Sequence, residues 1–287
     1  MTIELRHLRA FLAIAEEGNV TRAAARLHLS QPALSRTLRQ LEDHLGARLV
    51  DRSTHHLELT AEGHTFRDKA LAAVAAVETA LDPGGLRRWP LRLGHTWAAL
   101  GDYTIPFLRR WDETHRAVPL ELLRIDDRTA GLTQGKVDAA LLRGAVTSAG
   151  LRTELLLSEE RVVVMPTDSP LAALPRVTLA DLADHPIALN TVSGTTTVNL
   201  WPPTARPVAT IEVTNTDEWL IAIAAGRAVG VTTSATPGNH THPSLVYRPL
   251  ADAPTVPVVL AWRAGPGHPA VPDLLALARE VLAAGRA

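Results

Sequence analysis

The sequence contains no cysteine in its 287 residues. Disulfides, thiol redox sensing and thiolate metal sites are therefore excluded. An excess of charge is also lacking, because the formal net charge is −1, so bulk electrostatics gives no indication of a nucleic-acid partner. No apolar run reaches the roughly 18 residues of a membrane span, and no secretory leader pattern opens the chain. These absences predict a cytoplasmic protein with no membrane partner.

Apolar residues make up 46% of the chain, which is enough to form extensive cores. The length predicts two or three domains, and no internal repeat or low-complexity tract interrupts the pattern.

Three helical patterns open the chain. The first ends at Gly18, and the second can be capped by Asn19 or Thr21. Ser30 is suited to cap the third, which Gly46 ends. Two short helices followed by a longer one have the spacing of a helix-turn-helix.

The third helix is predicted to have two distinct faces. Its buried stripe consists of Leu34, Leu38, Leu41 and Leu45. The opposite, exposed face and its N-terminal edge carry Gln31, Pro32, Ser35, Arg36 and Arg39. Such a face fits a recognition helix in the major groove, although a plain three-helix bundle with a solvated face has the same pattern. Two short strands, 49–52 and 57–60, flank a polar tip at 53–56 and indicate a wing.

Three segments carry a family resemblance. They read AAARLHLSQPALSR at 23–36, LEDHLG at 41–46 and LTAEG at 59–63. In order and spacing these segments resemble the LysR-type transcriptional regulators. The resemblance implies that Gln31, Pro32, Ser35 and Arg36 contact bases and phosphates of a double-stranded DNA operator.

The wing departs from the family pattern. Arg52 stands at the family's arginine position at the start of the wing. Val50 replaces the usual Phe, and the tip offers His55 and His56 where a minor-groove arginine is common. We include Arg52 and His55 among the expected DNA contacts.

Residues 60–81 form a continuous helical pattern that residues 82–85 end. Its predicted apolar stripe consists of Phe66, Ala70, Ala73, Val77 and Leu81. The resemblance implies that this linker helix pairs with its counterpart in a second chain, and the alternative is packing on the chain's own C-terminal domain. We therefore expect the protein to form a homodimer, to assemble further into a tetramer and to contact RNA polymerase.

The remaining two-thirds alternate strands and helices, which predicts an α/β fold with parallel strands. The expected strands are 91–94, 120–125, 139–142, 161–165, 186–190, 209–213, 229–232 and 256–262. The expected helices are 106–115, a short one before Gly135, 218–225 and 273–284. Looser family motifs are VP at 118–119, GKVD at 135–138 and AAGRAVGV at 224–231.

The resemblance implies a winged helix-turn-helix, a linker helix and a two-lobed effector domain similar to periplasmic binding proteins. We expect boundaries at 1–59, 60–85 and 86–287. Within the last domain, 86–160 and 254–287 should form one lobe and 161–253 the other. An alternative for this domain is an oligomerisation module without a soluble effector.

Ligands of open α/β sheets bind beyond the carboxyl ends of strands. Polar or aromatic residues at these positions are His95, Thr96, Trp97, Arg143, Thr191, Ser193, Asn215 and Thr216. Each alone fits a cap or a loop residue, whereas their shared location predicts an effector site.

An anionic effector such as a carboxylate is the predicted ligand class. Arg143 would form a bidentate pair with it, and a helix beginning at Thr195 would add its N-terminal N–H groups. The alternative is a structural ion pair between Arg143 and Asp126 or Asp127.

No enzyme is predicted, because a phosphate loop, a nucleophile elbow and a spaced carboxylate pair are all missing. A periplasmic solute-binding protein is disfavoured by the DNA-binding pattern. His240 and His242 lack a nearby third ligand, so we expect neither a metal site nor a cofactor.

Overall fold

The computed structural model describes residues 3–51, 57–81 and 89–285. The chain forms two compact units. The first comprises residues 1–89 with 133–136, and the second comprises 90–132 and 137–287.

The helices of the first unit begin and end where local chemistry requires it. The elements are α1 (Leu5–Glu17), α2 (Val20–Arg26), α3 (Gln31–Leu45), β1 (Val50–Asp51), β2 (Glu58–Leu59) and α4 (Ala61–Leu81). The side chain of Asn19 accepts two backbone N–H groups at the start of α2, and that of Ser30 accepts the N–H of Ala33. Gly18 and Gly46 end α1 and α3 with φ of +56° and +66°, which favour glycine.

The core of this unit lies between α1, α2 and α3. Leu34, Leu38 and Leu41 are buried there together with Phe11 and Ile14. Leu45 was predicted to extend this stripe, but its side chain is 41% exposed, so that prediction is wrong. The last turn of α3 lies beyond the core.

The linker helix α4 packs on the same core. Phe66 meets Phe11 edge to face at 5.2 Å between ring centroids, Ala70 is buried, and Leu71 and Val74 also contact the core. Phe66 and Ala70 of the predicted stripe thus pack on this core, whereas Ala73 and Leu81 of the same stripe are exposed.

A buried carboxylate anchors the base of the wing. β1 and β2 pair antiparallel, and Glu42 of α3 lies beneath them. One Glu42 oxygen accepts the backbone N–H of Leu49 at 2.9 Å and that of Val50 at 3.3 Å. The other oxygen accepts a hydrogen bond from Arg48 at 3.1 Å. α3 and the start of the β1–β2 pair are thereby fixed to each other.

The second unit has two lobes, each built on a five-stranded sheet. Lobe I contains β3 (Leu91–His95), α5 (Thr104–Thr114), β4 (Leu120–Arg124), β5 (Ala139–Arg143), β6 (Leu151–Glu159), β12 (Val256–Arg263) and α8 (Val271–Ala284). Lobe II contains β7 (Arg161–Pro166), β8 (Ile187–Asn190), β9 (Thr210–Val213), α6 (Thr216–Ala224), β10 (Val229–Thr233), α7 (Thr236–Asn239) and β11 (Leu245–Pro249). The sheet orders are β4-β3-β5-β12-β6 and β11-β7-β10-β8-β9.

The predicted parallel strands make up part of each sheet, and antiparallel strands complete it. β3 pairs in parallel with β4 and β5, and β8 pairs in parallel with β9 and β10. β12 runs antiparallel between β5 and β6, and β7 runs antiparallel between β10 and β11. The last strand of the chain thus returns to lobe I, as the family resemblance implies.

Three local predictions also need correction. The strands β6 and β11 were not predicted, and residues 127–135 form turns rather than a short helix. The helix expected from Thr195 is only a single 3-10 turn, Val198–Leu200. Anion binding by a helix N-terminus is therefore not available there.

Within the described ranges, no helix is both long enough and apolar enough to cross a membrane.

We expect Glu42→Ala to lower the free energy of unfolding of the first unit by about 1 to 3 kcal/mol, because two buried N–H groups lose their acceptor. Chemical denaturation followed by circular dichroism measures this loss. Asp43→Ala is the matched control, since Asp43 is the exposed neighbour on the same helix. Equal stability of the two variants would contradict the anchoring role of Glu42.

Candidate functional site

The predicted DNA-binding residues of α3 lie on one accessible face. Gln31, Pro32, Arg36 and Arg39 are exposed, and Ser35 is half-buried. The Gln31 side-chain amide donates a hydrogen bond to the Ser35 hydroxyl at 3.3 Å. This face lies opposite the buried leucines of the same helix, so its side chains are free to contact a groove.

The arginines of the first unit differ in availability. Arg22 and Arg26 of α2 pair with Glu16 and Glu17 of α1. The hydrogen bond to Glu16 raises the pKa of Arg26. In contrast, Arg36 and Arg39 form no ion pair with any residue that the structure describes. Two cations without an ion-pair partner among the described residues therefore lie on the exposed face of α3.

The wing tip lies outside the described residues. Arg52, His55 and His56 belong to it, so their predicted DNA contacts stay predictions. Val50, which replaces the family's usual Phe, is buried at the start of β1.

A cavity of about 410 Å³ lies between the two lobes of the second unit. Four predicted effector residues line it: Thr96, Arg143, Thr191 and Ser193. On the lobe II side, the Asn190 side-chain oxygen accepts the backbone N–H groups of Val192 and Ser193, both at 3.0 Å. This turn directs the loop after β8 along the cavity wall.

A smaller cavity of about 30 Å³ adjoins the first. Trp97 and Thr216, two further predicted effector residues, line it, and Asn190, Gly194 and Thr196 line both cavities. Its size fits a water molecule or a small substituent of a ligand. The two cavities share part of their walls, and we treat them together as the candidate effector site.

Asn215 and His95 were also predicted to contact the effector, but they line neither cavity among the described residues. Asn215 instead caps α6 by accepting the N–H of Glu218. His95 is half-buried, and its Nδ1 has no hydrogen-bond partner in the described part of the chain. Burial, helped by the nearby Arg124 and Arg143 and opposed by Asp126, lowers the pKa of His95 to about 4.

Arg143 is held by a buried ion pair. Its Nε and Nη2 donate to the two oxygens of Glu159 at 2.9 and 2.7 Å. The guanidinium also lies 4.5 Å from the centroid of the Trp97 ring. An ion pair was the alternative expected for Arg143, but the partner is neither Asp126 nor Asp127. A bidentate pair with an effector is excluded while Glu159 is bound, and Nη1 is the remaining donor without a partner among the described residues.

Sequence reasoning missed two charged residues that line the large cavity. Arg128 lies in the turns after β4, and Glu212 lies on β9. Both are exposed, and neither forms an ion pair with a described residue. Arg128 escaped attention because the segment before Gly135 was interpreted as a short helix rather than as turns that line the cleft.

Comparison with known families covers both units. Residues 5–64 match the bacterial regulatory helix-turn-helix protein, lysR family, and residues 84–283 match the LysR substrate binding domain. The chain belongs to the LysR family. This LysR-type regulator binds DNA, regulates transcription and carries an effector-binding domain, as the sequence predicts.

Individual relatives agree with this assignment. The transcriptional activator HcaR of the hca operon in Escherichia coli is 32% identical, over 98% of this chain and 99% of its own. The E. coli regulator YnfL is 36% identical, but the alignment spans only 65% of each chain. Full-length BenM from Acinetobacter baylyi has a similar structure, with a TM-score of 0.55, 25% identity and coverage of 99% and 98%. CbnR, with a TM-score of 0.66 at 20% identity over 98% and 99%, shares the fold.

We expect acid to destabilise the second unit through His95. Its pKa of about 4 in the folded chain lies below the ordinary 6.5 of the unfolded chain. The unfolded state therefore binds more protons within that window, and stability falls as the pH drops through it. Urea unfolding followed by tryptophan fluorescence should show a smaller loss between neutral and acidic pH in His95→Gln than in the wild type.

His242→Gln is the control for this comparison, because His242 is exposed in lobe II. A His95→Gln protein with the same pH dependence as the wild type would rule out His95 as the cause.

Proposed function

We propose that this LysR-type regulator reads its operator with α3. Gln31, Pro32, Ser35, Arg36 and Arg39 would contact the major groove. The observation that carries the proposal is the pair of unpaired arginines on the exposed face of α3. Arg52 and His55 of the wing would add contacts to the backbone or the minor groove.

The effector that best fits the cavity is a small carboxylate that also carries a hydrogen-bond donor, such as a hydroxyl or an amino group. Arg128 on the lobe I side supplies a cation, and Glu212 on the lobe II side supplies an acceptor. Thr96, Thr191 and Ser193 offer hydroxyl groups between them. Arg143 contributes only the Nη1 donor, because Glu159 already neutralises its charge.

Binding between lobes provides a route to regulation. A ligand that contacts Arg128 of lobe I and Glu212 of lobe II at once binds the closed arrangement of the lobes better than an open one. Only such differential affinity shifts a conformational equilibrium. Effector binding would thereby change how the protein engages its operator.

We further propose that the protein acts as a homodimer through α4, with tetramer formation and a contact to RNA polymerase as additional interactions. Ala73 and Leu81 are exposed on this helix, Leu81 at 72%, so an apolar strip is left uncovered in the single chain. The functional division is 1–59 for DNA, 60–85 for linking and 86–287 for the effector.

The chain would regulate without catalysis, like the relatives named as regulators, and would act in the cytoplasm, where bacterial DNA lies.

Arg36→Ala tests the recognition helix. We expect specific operator binding to weaken by about 1 to 3 kcal/mol, because a base contact is lost. The fold should remain, since Arg36 is exposed and unpaired. Fluorescence anisotropy with specific and random DNA duplexes measures the change, and Arg6→Ala, at an exposed site on α1, is the control. Equal affinities of wild type and Arg36→Ala would refute the assignment.

Arg128→Gln tests the effector class. Small carboxylates and the amides of the same skeletons are compared by thermal shift with the full chain, and the best carboxylate is then titrated by calorimetry. We expect Arg128→Gln to weaken its binding about tenfold, the loss of one charge-assisted hydrogen bond. Arg116→Gln is the matched control, an exposed arginine elsewhere in lobe I. Preference for the amides, or unchanged affinity in Arg128→Gln, would contradict the proposal.

Ala73→Arg tests the dimer. A long charged side chain in a helix seam must be desolvated or must push the helices apart, so we expect monomers. Sedimentation velocity gives the mass, and Ala73→Ser, which preserves the small volume, should remain dimeric. A dimeric Ala73→Arg protein would place the interface elsewhere.

A further inference from the structure

The turn between α2 and α3 carries an exposed leucine. Leu29 is 46% exposed, and the next residue, Ser30, caps α3. Gln31 and Pro32, which begin α3, are exposed as well. The proposed DNA contacts start only at Gln31, so Leu29 is a large apolar side chain at the same edge without an assigned role.

Two hydrogen bonds to α2 fix the backbone of Leu29. The N–H of Leu29 donates to the carbonyl oxygen of Ala24 at 2.9 Å, and the N–H of His28 donates to that of Ala25 at 3.1 Å. His28 lies in the left-handed region, with φ of +55°. Together these features form a Schellman motif at the end of α2. The backbone of Leu29 is therefore held in place before DNA binds.

Packing inside the chain does not account for all of this side chain. An apolar residue that follows a Schellman motif commonly covers the last turn of the preceding helix. An apolar residue just before an N-cap commonly packs on the fourth residue of the following helix, which here is Leu34. Leu34 is completely buried, whereas Leu29 occupies both of these positions and still exposes 46% of its surface. A substantial apolar surface is thus left facing solvent at the start of α3.

The position of this surface indicates what it contacts. In a helix-turn-helix, the N-terminal residues of the recognition helix meet the base edges. Pro32 lies one helical turn before Arg36 on the exposed face, so the apolar surface of Leu29 and Pro32 is continuous in sequence with the proposed base contacts. Among the four bases, thymine alone presents a methyl group in the major groove. A leucine recognises that methyl group by apolar contact, which Gln31 and Arg36 cannot do through hydrogen bonds.

We propose that Leu29 is a specificity-determining residue that packs on the methyl group of a thymine in the operator. This inference rests on the proposed function, in which α3 reads the major groove. Each protomer of the proposed homodimer supplies one Leu29, so each half-site of the operator carries one such thymine. Burial of a single methyl group against an apolar side chain corresponds to about fourfold in affinity.

The test uses the full chain and the duplex that it selects from a random-sequence DNA library. Each thymine of this duplex is replaced singly by deoxyuridine, which removes the methyl group and keeps every hydrogen-bonding group of the base. Fluorescence anisotropy gives the affinity ratio of the thymine and deoxyuridine duplexes. For one thymine in each half-site we expect a ratio of about four in the wild type. Leu29→Ala and Leu29→Gln should lower this ratio to about one, because the apolar contact is lost.

Two further variants serve as controls. Leu29→Met keeps an apolar side chain and should retain the ratio. Leu45→Ala should retain it as well, because Leu45 is an equally large leucine, 41% exposed, at the other end of α3.

The outcomes separate this inference from the proposed function. The role of Leu29 is refuted if no deoxyuridine replacement weakens wild-type binding, if both Leu29→Ala and Leu29→Gln retain the wild-type ratio, or if Leu45→Ala loses it. When one of these results accompanies a loss of specific binding in Arg36→Ala, only the role of Leu29 fails. Unchanged specific binding in Arg36→Ala would instead refute the proposed reading of the operator by α3.

Discussion

The effector domain depends on one buried arginine at the point where the chain crosses between lobes. Arg161 begins β7, directly after the first crossing, and donates a hydrogen bond to the carbonyl oxygen of Pro254 on the second. Its other nitrogens donate to the Thr196 hydroxyl and the Thr195 carbonyl oxygen, both at 3.1 Å. No carboxylate among the described residues pairs with it, and burial lowers its pKa. One side chain therefore ties both crossings to the loop that lines both cleft cavities.

The second interaction at the crossing sets the charge of the cleft. Glu159 ends β6, immediately before the crossing, and neutralises Arg143. Removing either partner would leave an uncompensated buried charge, a change that costs about 3 to 5 kcal/mol. The pair is thus part of the framework, and a ligand's charge must be met by the exposed Arg128 and Glu212. The ion pair between Arg143 and Glu159 therefore stays intact when the ligand dissociates.

Features that depend on contacts between residues close in sequence can be predicted from the sequence, whereas features that depend on contacts between distant segments cannot. The end of α1, the start of α2 and both ends of α3 follow from Gly18, Asn19, Ser30 and Gly46, because these contacts are local. The strand β6 escapes prediction because a register shift opposite Val258 and Val259 breaks its alternation. The turns after β4 form because the Asp127 side chain accepts the N–H groups of Thr129 and Gly131, which competes with a helix. The partner of Arg143 depends on how β5, β12 and β6 assemble, and neighbouring sequence carries no information on that.

The anchoring of the wing by Glu42 has an evolutionary consequence. The base of the wing is fixed from beneath, through the N–H groups of Leu49 and Val50. None of positions 52–56 takes part in these two bonds, so substitutions there leave the anchor in place. Under the proposed function, α3 and the wing tip are two determinants of operator choice that can change separately, which lets duplicated genes acquire new targets in small steps.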